Sequence, residues 1–150
     1  MGLFARFRKK FFSAEEEKSI VAAIRAAELN TSGEIRVHFA EKIISDVLAD
    51  AAQTFTKLGM EKTTRRNGVL IYVVPNKKQF AIIGDIGFHQ VSGNDFWQTV
   101  KDKMQNFFRN GNFSEGIIKG IEETGIILKQ HFPREDDDIN ELNDEISYGN

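Results

Sequence analysis

The sequence predicts a mixed α/β domain in which helices cover a sheet, with the element order α-β-α-β-β-α-α. Apolar residues recur at helical spacing in four segments, which indicates four amphipathic helices. Residues 68–74 are almost continuously apolar, a pattern typical of a strand covered on both faces. The chain has 150 residues, of which 41% are hydrophobic and 28% charged, and these values suit a single globular domain.

A capping box predicts where the first helix begins. Ser13 and Glu16 are three residues apart, so that each side chain can bind a backbone N–H group of the first turn. Apolar residues at helical spacing then predict a helix over residues 14–29. Residues 34–40 alternate between polar and apolar, which indicates a half-buried strand. Ser45 is expected to cap the second helix.

A hairpin followed by two helices makes up the second half of the chain. Residues 68–74 and 79–84 are expected to pair as antiparallel strands around a proline-asparagine turn. Ser92 and Asp95 repeat the capping pattern, which predicts that the third helix begins there. Ser114 is expected to cap the fourth helix.

The two ends of the chain carry opposite charge. Residues 1–12 form a basic amphipathic segment, which could make a weak contact with an anionic membrane surface or pack on its own domain. Residues 13–133 are expected to form the domain, and residues 134–150 an acidic, mobile tail. The residues that define the two ends are Phe4, Arg6, Phe7, Arg8, Lys9, Lys10 and Phe11 at the start, and Glu135, Asp136, Asp137, Asp138, Glu141, Asp144 and Glu145 at the end.

The composition excludes several classes of function. Without cysteine, the chain has no disulfides, thiolate metal sites or cysteine nucleophiles. No apolar run reaches the roughly 20 residues that cross a bilayer, and no secretory signal is recognised, so a cytoplasmic location is expected. The net charge of −2 gives no general affinity for nucleic acid. The three histidines are too scattered for a zinc site, and no P-loop or nucleophile elbow is present.

Three polar segments are expected to meet at one edge of the sheet. Strands 34–40 and 68–74 are joined through a helix, which favours parallel pairing, so both strands begin at the same edge. The antiparallel strand 79–84 ends at that edge, and the helix start at Ser92 lies nearby. The edge, which we call the rim, then contains Thr31, Ser32, Gly33, Glu34, Arg66, Asn67, Gly68, Gly84, Asp85, Ile86 and Gly87.

Carboxylates on the rim are candidate ligands for a divalent cation. Calcium takes about 6–8 oxygen ligands from carboxylates, carbonyl groups and water. Glu34, Asp85 and Asp95, together with loop carbonyl groups, would supply part of that set. Each has a simpler alternative, because Asp85 could bind its own backbone in a turn, Glu34 could be an exposed strand charge, and Asp95 could only cap a helix.

Four further rim residues are candidates for binding a ligand. Asn67 and Gly68 either form a turn into the strand or let a ligand approach backbone that has no Cβ. Arg66 could bind a phosphate through two parallel hydrogen bonds or remain solvated. Ser32 adds a hydroxyl group to the same rim.

Four short motifs occur in order along the chain: Ser32-Gly33-Glu34-Ile35, Asn67-Gly68-Val69-Leu70-Ile71, Gly84-Asp85-Ile86-Gly87 and Phe108-Arg109-Asn110-Gly111-Asn112-Phe113, the last followed by Gly116 and Gly120. These motifs resemble the TPM domain family, and the similarity covers about residues 13–132. The resemblance implies an α/β/α sandwich that binds calcium or a similar divalent cation in several members, and phosphatase activity is attributed to plant members. The C-terminal segment from Phe132 onward resembles a bacterial branch made of the TPM domain alone.

The residues and the resemblance together predict a calcium-binding regulatory or interaction module. The cation would bind through Glu34, Asp85 and Asp95, and the partner would be another protein. The enzymatic alternative is a metal-assisted phosphomonoesterase that uses the same rim, with Arg66 on the phosphate of a phosphorylated substrate. A third reading is a membrane-surface adaptor that works through residues 1–12.

Overall fold

The computed structural model describes residues 12–134 and 146–149, in which a four-stranded mixed sheet is covered by helices. The predicted α/β class and the order α-β-α-β-β-α-α are confirmed, with one short strand added near the C-terminus. The elements are α1 (Ala14–Glu28), β1 (Glu34–Phe39), α2 (Val47–Lys57), β2 (Gly68–Val74), β3 (Gln79–Gly84), α3 (Ile86–Arg109), α4 (Phe113–His131) and β4 (Ser147–Tyr148).

The sheet has the strand order β3-β2-β1-β4. Strands β1 and β2 are parallel, with Glu34 opposite Gly68, and β2 and β3 are antiparallel, with Val69 opposite Gly84. The predicted parallel pairing through a helix is therefore correct. It brings the starts of β1 and β2 to the same edge as the end of β3.

Side-chain alternation divides the core between the two faces of the sheet. Ile35, Val37 and Ile71 point to one face, where they pack with buried residues of α1, α3 and α4. Leu70 and Tyr72 point to the other, where they pack with α2 and with the 3₁₀ turn Met60–Lys62. The molecule is thus an α/β/α sandwich in which α2 is the main cover of the second face.

The first helix begins as predicted, and the second begins one residue later than predicted. The Ser13 hydroxyl accepts the Glu16 N–H group at 3.1 Å, and the Glu16 carboxylate accepts that of Ser13 at 3.0 Å. At α2 the cap is Asp46, whose carboxylate accepts the Ala49 N–H group at 2.8 Å. Ser45 is not the cap, because its own backbone N–H group is bound by the carboxylate of Asp50 at 3.0 Å.

The last two helices begin earlier than predicted. Helix α3 starts at Ile86 with Asp85 as its cap, and Gly93, with a φ of 72° and a ψ of 173°, divides it into two helical segments. The second segment begins directly after Gly93, close to the predicted start at Ser92, but the Ser92 hydroxyl does not cap it, because it donates to the Gly93 carbonyl oxygen at 3.5 Å. Helix α4 starts at Phe113, so that Ser114 lies inside its first turn.

The glycine-rich composition of residues 84–87 explains why the start of α3 was missed. The run from Gly84 to Gly87 has the composition of a loop, but Gly87 is helical. A Cβ atom at Gly87 would collide with the carbonyl oxygens of Arg65 and Arg66. Glycine is therefore required at this position because the backbone of residues 65–66 packs directly against the first turn of α3.

Part of the tail that was predicted to be mobile is a strand. Residues 147–148 form β4, parallel to the end of β1, with Ser147 opposite His38 and Tyr148 opposite Phe39. Tyr148 packs on Phe39 with their ring centroids 5.4 Å apart. This packing and the hydrogen bonds of His38 hold the segment despite its charged surroundings. Residues 1–11 and 135–145 lie outside the described residues, and with them the basic amphipathic segment apart from Phe12.

None of the helices that the structure describes is long and apolar enough to cross a membrane.

Candidate functional site

The rim brings Glu34, Gly68 and Asp85 into one row across three strands. Glu34 pairs with Gly68, and the Asp85 N–H group donates to the Gly68 carbonyl oxygen at 2.9 Å. Because neighbouring strands are about 4.8 Å apart, the Glu34 and Asp85 backbones are separated by about 10 Å. Alternation places both side chains on the α2 face, since Ile35 faces the other way and Ile83 packs on the α2 side. The predicted convergence of the three segments is present.

Asn67 links the first two segments of the rim. It is 1% exposed, and its Nδ2 atom donates to the Ser32 hydroxyl at 3.4 Å. Its backbone N–H group donates to the hydroxyl of Thr63 at 3.2 Å. The Oδ1 atom of Asn67 is buried and accepts no hydrogen bond from any described residue. Buried polar atoms are normally satisfied, so this oxygen is exceptional.

Asp85 and Arg66 form a bidentate ion pair on the rim. The Arg66 Nε atom donates to Asp85 Oδ2 at 2.6 Å, and Nη2 donates to Oδ1 at 2.8 Å. The side chain of Arg66 is 49% exposed, whereas Asp85 is 6% exposed. The hydrogen bonds and the charge of Asp85 raise the pKa of Arg66 above its ordinary value. Asp85 Oδ1 also accepts the Ile86 N–H group at 2.8 Å, as expected for a helix cap.

The backbone of Arg66 is held in an unusual conformation. Its φ is 53°, in the left-handed region, which costs roughly 1–2 kcal/mol for a residue other than glycine. Its carbonyl oxygen accepts the Gly87 N–H group at 2.8 Å, and its N–H group donates to the Thr63 carbonyl oxygen at 3.2 Å. The Arg66 backbone is therefore fixed to the first turn of α3.

Two further buried polar residues lie beside the rim, and only one of them was expected there. The Thr31 hydroxyl accepts the Gly33 N–H group at 3.0 Å, which agrees with the predicted place of Thr31 on the rim. The Glu28 carboxylate accepts the Ile35 N–H group at 2.7 Å and was not predicted. An acid in the last turn of a helix opposes the helix dipole, and this feature of Glu28 was a usable signal.

The third predicted metal ligand lies apart from the other two. Asp95 is exposed on α3, after the kink at Gly93. Within residues 12–134 and 146–149, no three Asp, Glu or His side chains are grouped so that they could hold a metal ion. The metal-binding roles of Glu34, Asp85 and Asp95 stay predictions.

These features define a class: a single-sheet α/β/α sandwich with a polar rim built from two strand starts and a helix cap. A family model described as the TPM domain (TPM_phosphatase) matches residues 7–126. The chain belongs to the TPM domain family.

Solved structures agree with this assignment. The chain is 49% identical to the BA42 protein of the psychrophilic bacterium Bizionia argentinensis, with a TM-score of 0.87 over 93% of this chain and 96% of that one. The N-terminal domain of a P. gingivalis protein is 18% identical, with a TM-score of 0.67 over 83% of each chain. The N-terminal domain of a Corynebacterium glutamicum protein is 15% identical, with a TM-score of 0.63 over 78% of this chain and 74% of that one. The last two share the fold. No curated protein sequence matches the chain.

Proposed function

We propose that this TPM domain binds a divalent cation, calcium in the first instance, at the rim and acts as a regulatory or interaction module. The observation that carries the proposal is the buried Oδ1 atom of Asn67, which accepts no hydrogen bond from the described chain. Leaving a buried acceptor unsatisfied costs about 1–3 kcal/mol, and an oxygen-seeking cation would remove that cost.

The chemistry of the neighbouring groups supports a hard cation. Glu34, which is 2% exposed, and Asp85 offer carboxylate oxygens on the same face of the sheet. Ser32 offers a hydroxyl group beside Asn67. These groups are all oxygen donors, which calcium and magnesium prefer, whereas zinc favours sulfur and nitrogen. Asp95 would join them only if α3 moved towards the rim.

A regulatory role is supported by the positions of the proposed ligands, which lie on three separate segments of the chain. The ligands come from the start of β1, the start of β2 and the start of α3, which are far apart in sequence. Binding would therefore restrict segments that no single element fixes. A protein partner that contacts these segments would respond to the ion.

A calcium titration of the full chain, followed by backbone amide NMR, tests the proposal. Binding at the rim should shift the amide signals of residues 66–68 and 84–87. Asp85→Asn and Asn67→Leu should each weaken that response at least tenfold, because each removes one ligand oxygen. As a matched control, the triple variant D136N, D137N and D138N removes tail charge and should leave the rim response unchanged. Shifts confined to the tail would refute the proposal.

The second candidate function is a metal-assisted phosphomonoesterase on the same rim. It is favoured by the half-exposed Arg66 beside Asp85, since a guanidinium fork suits a phosphate. Release of phosphate from p-nitrophenyl phosphate in the presence of calcium or magnesium, lost in Asp85→Ala, would support the enzyme. Cation binding without turnover would support the module.

A further inference from the structure

The carboxylate of Asp85 already has a cationic partner. The guanidinium group of Arg66 contacts both of its oxygens, at 2.6 Å and 2.8 Å, and the Ile86 N–H group binds Oδ1 as well. Both oxygens that a cation would use are therefore engaged. Two positive groups that share one carboxylate repel each other, and burial of Asp85 limits screening by water.

The structure fixes the backbone of Arg66 while leaving its side chain free to depart. The backbone is held by hydrogen bonds to Thr63 and Gly87. Close packing of Gly87 against the carbonyl groups of Arg65 and Arg66 further restricts movement of the Arg66 backbone along α3. The side chain is half-exposed, so that rotation about its χ angles takes the guanidinium into water without disturbing the core. Departure of the guanidinium needs no rearrangement of β2 or α3.

We infer that Arg66 is a built-in competitor of the rim cation, an internal positive charge that a divalent ion must displace from Asp85. This inference rests on the proposed cation site and describes its regulation. Arg66 neutralises Asp85 when the ion is scarce and so stabilises the empty rim. The cation concentration at which the site fills is then set by the strength of the ion pair, because the two positive groups exclude each other.

Calcium affinity of Arg66 variants, measured by isothermal titration calorimetry with amide NMR to locate the ion, tests the inference. Arg66→Gln removes the charge and should bind calcium at the rim at least tenfold more tightly than the wild type. Arg66→Lys keeps the charge but loses the fork, and its affinity should fall between the two. Lys62→Gln makes the same charge change in the same connection without touching Asp85, and should alter affinity less than twofold.

The outcomes distinguish the competitor role of Arg66 from the proposed cation site on which it rests. Equal or weaker rim binding by Arg66→Gln would overturn the role of Arg66 and leave the proposed function standing. Absence of rim shifts in both the wild type and Arg66→Gln would overturn the proposed function, and the inference with it.

A second measurement needs no substitution. The Nε–H signal of Arg66 should be observable and protected from water exchange in calcium-free protein, because Nε donates to Asp85. It should lose that protection as calcium is added, in step with the amides of residues 84–87. The Nε–H signal of Arg109, at the end of α3, is the control and should not change. An Arg66 signal that persists at saturating calcium would contradict displacement.

Discussion

Asp85 shows how one residue can serve several structural purposes. Its backbone N–H group continues the pairing of β3 with β2, its carboxylate caps α3, and the same carboxylate binds Arg66. An acid between glycines has the composition of both a ligand loop and a helix cap. The sequence therefore marked Asp85 as important but could not distinguish these uses, because the positions of Arg66 and Gly87 decide between them.

Thr124 gives a direct test of the cost of an unsatisfied buried group. Its hydroxyl is fully buried in α4 and has no hydrogen-bond partner among the described residues. Thr124→Val keeps the shape and removes the polar atom, so the free energy of unfolding should rise by about 1 kcal/mol. Urea denaturation measures the change.

The matched control is Thr54, which is also buried but hydrogen-bonds to Tyr72. Thr54→Val should lower the free energy of unfolding. Equal destabilisation by the two substitutions would contradict the assignment of Thr124 as unsatisfied.

The environment of His38 should make the free energy of unfolding depend on pH. Its Nε2 atom lies 2.5 Å from the Gly149 carbonyl oxygen, which can only accept, so Nε2 carries the proton and Nδ1 accepts the Ser147 hydroxyl at 2.7 Å. Burial, with smaller contributions from the positive charges of Arg36 and Lys57, lowers the pKa of His38 below its ordinary value of 6.5, although the bond to Gly149 opposes this.

The unfolded chain therefore binds a proton at a higher pH than the folded chain. The contribution of His38 to stability is complete above about pH 6.5 and decreases as the pH falls below that value. Urea denaturation at pH 7.5 and pH 5.5 should show this loss in the wild type and a smaller one in His38→Gln. The control His89→Gln, at an exposed position of α3, should retain the full loss.

At the level of the elements, the sequence predicted which segments are helices and strands and where α1, β1, β2 and β3 begin, but it misplaced the starts of α2, α3 and α4. Asp46 caps α2 in place of the adjacent Ser45, and because Ser and Asp have nearly equal capping ability, tertiary contacts choose between them. At α3 the helical turns from Ile86 to the break at Gly93 were missed, because the glycine-rich run from Gly84 to Gly87 has the composition of a loop. The strand β4 was missed because it pairs over two residues only, and its stability comes from His38 and Phe39.

The kink in α3 predicts a purely conformational effect. Gly93 has a φ of 72° and a ψ of 173°, a region that is almost limited to glycine, and a Cβ added there would meet no atom within 4 Å. Gly93→Ala should therefore lower the free energy of unfolding by about 1–3 kcal/mol through backbone strain alone. Thermal unfolding measures the loss of stability, and Asn94→Ala, a substitution at the neighbouring exposed position, is the control. Unchanged stability in Gly93→Ala would mean that α3 can straighten at no cost.

In the whole molecule, a rim cation should couple binding to stability. A ligand that binds only the folded state at 100 times its dissociation constant adds about 2.7 kcal/mol to the free energy of unfolding. Calcium should thus raise the melting temperature of the wild type, and the increase should be much smaller in Asp85→Asn, which keeps a capping side chain but loses the charge. The tail variant D136N, D137N and D138N should behave as the wild type. An equal increase in Asp85→Asn would place the stabilising ion elsewhere.

The sequence by itself determined the fold class, the parallel pairing of β1 with β2 and the meeting of three polar segments at the rim. These follow from local periodicity and from the few ways in which a helix can connect two strands. Tertiary structure alone decided that Arg66 binds the carboxylate of Asp85, that Asp95 lies apart from Asp85 and Glu34, and that Asn67 buries an oxygen with no hydrogen-bond partner in the described part of the chain. Side-chain partners depend on which distant residues come within about 3 Å of each other, and no local pattern encodes that distance.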